Sequence, residues 1–198
     1  MKQFIASILL LFIYISCVST APISEINHFR KGTKGFQLKQ SSKAHSSEKI
    51  DNALINQFFN IQSTYLFKER NNQNPEVTLK FHGEAPFDTN LPDSVMFVNL
   101  DNENIRIVSS SDQSKMNDKQ QTSANGLKML EYQMVVPENL WLSIANSNHI
   151  IYRLSFGKIG IEINPDQAET IQVKEFFNRA MQRRLKIIPL VPPGKKKW

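Results

Sequence analysis

The pair Gly157-Lys158 most constrains what this chain can fold into. A Gly-X pair is the signature of a type II′ hairpin, because its first turn position needs φ > 0. With those two residues as the loop, Phe156 faces Ile159, Leu154 faces Ile161 and Tyr152 faces Ile163. Side chains alternate along a strand, so all six fall on one face of the sheet. The same register sets Arg153 opposite Glu162 on the other face. A slip of one residue would break both sets at once.

A long helix is predicted to follow. In Asn164-Pro165-Asp166-Gln167, Asn suits an N-cap, Pro the first helical position, and Gln the third. Val173, Phe176, Phe177, Ala180 and Met181 then recur at helical spacing over 165–184. Upstream, Leu130, Tyr132, Met134 and Val136 alternate as in a half-buried strand. Pro137 opens a short helix over 137–146 with Leu140, Trp141, Ile144 and Ala145 as its apolar side.

The first half of the chain reads as a helix, Ser47 to Asn60, and then two hairpins. In the first, Ile61, Ser63, Tyr65 and Phe67 precede Val77, Leu79 and Phe81 across an Asn-rich turn. In the second, Ser94–Leu100 and Ile105–Ser109 flank Asp101-Asn102-Glu103-Asn104. Its inward face is either Val95 and Phe97 or Met96 and Val98. The expected fold is α+β: an antiparallel sheet of about six to seven strands in hairpins. Two helices pack on one face, one of them a long C-terminal helix. The six hairpin side chains are expected to meet Val173, Phe176 and Phe177.

Around that domain, placed at 47–188, lie segments of other character. Phe4 to Ile15 is an almost unbroken apolar run behind Lys2, so 1–21 reads as a secretory signal. Residues 22–46 are rich in Ser, Gln and Lys and read as a disordered polar tether. Residues 110–126 are polar and read as a flexible loop. Residues 189–198 form a basic, Pro-rich tail.

Charge bounds the partners. Lys and Arg total 24 against 18 Asp and Glu, a net +6. Arg183, Arg184, Lys186, Lys195, Lys196 and Lys197 account for that excess, so the basic character is local. A nucleic-acid partner is not expected. Lys195, Lys196, Lys197 and Trp198 form a candidate surface-binding tip for a membrane surface or an acidic partner. Cys17 is the only cysteine, which excludes an intramolecular disulfide and a Cys-based zinc site. It follows a small residue after an apolar stretch, as in a bacterial lipoprotein signal, and is a candidate lipidation site. Tyr14 stands where that pattern usually has Leu.

The nearest thing to an acid–base cluster is His82, Glu84 and Asp88 around Gly83. Its spacing matches no usual zinc pattern, and no Walker-type or Rossmann-type glycine loop and no G-x-S-x-G turn occurs. No metal and no cofactor are expected. The leading expectation is an exported, non-catalytic domain that binds a protein or cell-envelope component. The alternatives are a hydrolase built on His82, Glu84 and Asp88, and an envelope protein anchored by lipid on Cys17.

Overall fold

The computed structural model describes residues 23–28, 33–46, 59–70, 74–86, 95–108, 127–156 and 159–187. Nine strands run through them: β1 (Ser24–His28), β2 (Thr33–Ser46), β3 (Phe59–Arg70), β4 (Glu76–Pro86), β5 (Val95–Leu100), β6 (Glu103–Val108), β7 (Leu127–Val136), β8 (Ile150–Phe156) and β9 (Ile159–Ile163). A 3-10 turn at Glu138–Leu140 leads into the short helix α1 (Trp141–Asn146), and the long helix α2 (Gln167–Ile187) ends the described chain. The fold is α+β, and every strand pairing is antiparallel.

The strand order is β6-β5-β8-β9-β2-β3-β4-β7, with β1 also paired to β2. The β2–β9 link is narrow. Only Ala44, His45 and Ser46 of β2 pair with Ile163, Glu162 and Ile161. About this link the sheet divides into halves of four strands (β6, β5, β8, β9) and five (β1, β2, β3, β4, β7), and the halves fold towards each other. Neighbouring strands lie ~4.8 Å apart, so a flat sheet would hold β8 and β4 roughly 19 Å apart. Instead the rings of Tyr152 on β8 and Phe81 on β4 lie 5.5 Å apart. The concave face therefore meets itself.

That concave face is the core. Phe36, Leu38, Tyr65, Phe67, Val77, Leu79, Met134, Val98, Tyr152, Leu154 and Ile163 are buried on it. The helix α2 closes its open side with Val173, Phe176, Phe177 and Ala180, each fully buried. Phe176 meets Phe36 edge-on at 5.1 Å and Tyr65 at 5.7 Å, and Phe177 meets Tyr65 at 6.3 Å. The helix thus sits on β2 and β3, and Tyr152 reaches it through Tyr65. Burying each large apolar side chain is worth about 1.5–3 kcal/mol. Trp141 of α1 packs edge-on against Phe67 at 6.3 Å and donates its indole N–H to the Val136 carbonyl at 3.1 Å. Ion pairs fix the outer side of α2: Arg179 with Glu25, Arg183 with Glu69 and Arg184 with Glu138.

The β8–β9 hairpin has the expected register, with Tyr152 opposite Ile163, Leu154 opposite Ile161 and Phe156 opposite Ile159. Arg153 bonds Glu162 at 2.6 Å on the outer face. Residues 157 and 158 themselves lie outside the described residues. In the β5–β6 hairpin Met96, Val98 and Leu100 face inward and Phe97 faces out. Its turn is tighter than expected. Asp101 and Asn102 adopt φ of 48° and 78°, as the two central residues of a type I′ turn do.

Among the described residues there are nine strands against the expected six or seven, because within the expected tether 22–46 the segments Ser24–His28 and Thr33–Ser46 are the strands β1 and β2. The domain therefore begins before Ser47. Phe59 and Asn60 open β3 rather than closing a helix, and the rest of that expected helix lies outside the described residues. The N-cap of α2 is Asp166, not Asn164. Asp166 Oδ1 accepts the Glu169 N–H at 2.8 Å and Glu169 Oε2 accepts the Asp166 N–H at 3.0 Å, a reciprocal capping box. Residues 1–21, 110–126 and 189–198 lie outside the described residues.

Candidate functional site

The site arises from a gap along one edge of β2. Towards its start that edge pairs with β1, from Thr33 to Gln37. Towards its end it pairs with β9, from Ala44 to Ser46. Between them, from Leu38 to Lys43, no described strand pairs with that edge. The chain leaves β9 at Ile163 and turns through Pro165 into α2, so the first turn of the helix comes to lie over the gap.

The inner face of β2 changes character there. Phe36 and Leu38 are apolar, but the next two inward positions are Gln40 and Ser42, 5% and 3% exposed. Opposite Gln40 on β3 stands Ser63, 1% exposed. Three polar residues thus hold core positions beneath the start of α2. Gln40 Nε2 donates to the Glu169 carbonyl at 2.8 Å and to Gln172 Oε1 at 3.2 Å. Ser42 Oγ donates to Glu169 Oε2 at 3.2 Å. Gln40 Oε1 and Ser63 Oγ are sealed from solvent with no partner among the described residues. Leaving a buried polar atom unpaired costs about 1–3 kcal/mol.

A cavity of about 430 Å³ opens at this place, lined by Lys39, Gln40, Ser41, Gln62, Asp166, Ala168, Glu169 and Gln172. These residues carry three carboxamides, two carboxylates, one ammonium, one hydroxyl and one methyl group, together with the apolar stems of the longer side chains. Such a wall offers donors and acceptors together and suits recognition of a polar solute.

The predicted cluster is located only in part. His82 lies on the exposed outer face of β4, in register with Gln62 and Glu131. Glu131 pairs with Lys80 at 3.8 Å. Glu84 lies two positions further along β4, opposite Met129, and Asp88 lies outside the described residues. Cys17, Lys195, Lys196, Lys197 and Trp198 also lie outside them. Among the described residues no group of three or more His, Cys, Asp or Glu could hold a metal ion, and no helix is long and apolar enough to cross a membrane.

None of the pocket residues was singled out from the sequence as a site. The available signal was Phe36-x-Leu38-x-Gln40-x-Ser42, an alternation that continues with polar residues where apolar ones are expected. Comparison with protein-family models, curated proteins and solved structures gives no match.

Proposed function

We propose that the chain is an exported, non-catalytic domain that binds a protein or cell-envelope component, with the pocket between β2 and α2 as its recognition site. One observation carries the reading. Gln40, Ser42 and Ser63 hold inward positions in an otherwise apolar face, and Gln40 also lines the cavity. Polar residues at core positions weaken a fold unless every atom is paired, and departures of this kind concentrate at functional sites. Export rests on the apolar run Phe4 to Ile15 and the small residues after it. Attachment to the envelope through lipid on Cys17 is a variant of the same reading. A diacylglyceryl cysteine at the mature N-terminus, detected by mass spectrometry, distinguishes it from release.

The test is co-sedimentation of the mature chain with the insoluble envelope fraction of its own cells. The proposal expects saturable retention, unchanged when His82, Glu84 and Asp88 are all replaced by alanine. A chain that stays in the supernatant overturns it. Soluble fragments released from the envelope material by the wild type and not by the triple variant would instead establish the hydrolase.

A further inference from the structure

We infer that the β2–α2 pocket takes a neutral, hydroxyl-rich ligand, a saccharide of one or two rings. This deepens the reading above and rests on it. The charges on the wall carry the argument. A simple anion would be drawn by Lys39 and by the N-terminus of α2, but would face Asp166, Glu169 and the carbonyl oxygen of Gln40. A simple cation would be drawn by the two carboxylates, but would face Lys39 and the positive end of the helix. Neither sign is served by the whole wall. A hydroxyl both donates and accepts, so neighbouring hydroxyls on a ring are served by all of it.

The placement of Gln40 adds a second indication. Gln40 is 5% exposed, is one of the residues that line the cavity, and leaves Oε1 without a donor among the described residues. That oxygen is closed from solvent, so an O–H that pairs with it has to displace the longer of the two Gln40 contacts, 3.2 Å to Gln172. Gln62, Ser41 and Lys39 also line the cavity and engage the outer hydroxyls; all three are exposed and move at little cost. The volume, about 430 Å³, is enough for a small saccharide.

Isothermal titration of the full mature chain tests this, with glucose, N-acetylglucosamine and their β-linked disaccharides as ligands. Acetate, inorganic phosphate, ammonium and a tripeptide serve as controls. The inference expects saturable binding of at least one saccharide, weakened at least tenfold by Gln62→Ala and by Gln40→Leu. Gln62 is exposed, so Gln62→Ala keeps the test decisive if Gln40→Leu fails to fold. No saccharide binding, binding unchanged in Gln62→Ala, or binding of only a control ligand each overturns the inference. Envelope co-sedimentation with no saccharide binding leaves the binding-domain reading standing and removes this ligand class alone.

Discussion

The Tyr65 hydroxyl donates to the Tyr152 hydroxyl at 2.9 Å in the centre of the core. Tyr65 is on β3 and Tyr152 on β8, with β9 and β2 between them in the sheet. The bond exists only because the two halves of the sheet fold over each other. The same closure seats α2 against β2 and so forms the pocket.

Both phenols resist ionisation. Burial raises Tyr65 well above its ordinary value, helped by the charge of Tyr152 and by their hydrogen bond. Burial also raises Tyr152, partly offset by the bond from Tyr65. A folded-state value above the unfolded one means that the folded chain keeps protons the unfolded chain has released. Stability is therefore complete below about pH 10 and declines as the pH rises above it. Urea midpoints measured from about pH 9 to pH 11 should fall. The double variant Tyr65→Phe, Tyr152→Phe should fall less steeply.

Phe177→Asp should abolish folding. Phe177 is fully buried between Tyr65 and Phe176, and a carboxylate there would sit unpaired against aromatic rings. Loss of a cooperative melting transition is the expected result. Phe176→Ala should leave a folded chain weakened by about 3–5 kcal/mol.

Gly35→Ala should destabilise by about 1–3 kcal/mol. A Cβ at Gly35 would run into the Phe67 carbonyl oxygen, a backbone atom that cannot swing away. Because Gly35 pairs with both Ile26 and Lys68, the damage should spread to β1 and β3. Amide hydrogen exchange in those strands is the measurement that locates it.

Asp166→Ala should cost about 0.5–2 kcal/mol by opening the capping box of α2. Glu169→Ala should cost more than Asp166→Ala, because Glu169 also accepts from Ser42 and so ties the helix to β2. Denaturant midpoints of the two variants give the comparison.

The hairpin at 150–163 was legible because turn chemistry, apolar alternation and the Arg153–Glu162 pair all point to one register. The buried side of α2 was legible for a similar reason, since Val173, Phe176, Phe177 and Ala180 repeat at one period. The strand β2 was not. Its inward row runs Phe36, Leu38, Gln40, Ser42, and two polar residues in four positions hide a strand among Ser, Gln and Lys. The cause of that illegibility is also the candidate site. Its partners Glu169 and Gln172 lie 129 and 132 residues away from Gln40, a distance no local pattern spans. Nor does local alternation report curvature, so the meeting of Tyr65 and Tyr152 had no sequence signal.

A double-mutant cycle on Tyr65→Phe and Tyr152→Phe tests the closure of the sheet most directly. If the halves fold over each other, the two substitutions are coupled by about 0.5–3 kcal/mol in denaturant unfolding. If the two effects simply add, β3 and β8 do not meet, and neither the closed core nor the pocket that depends on it stands.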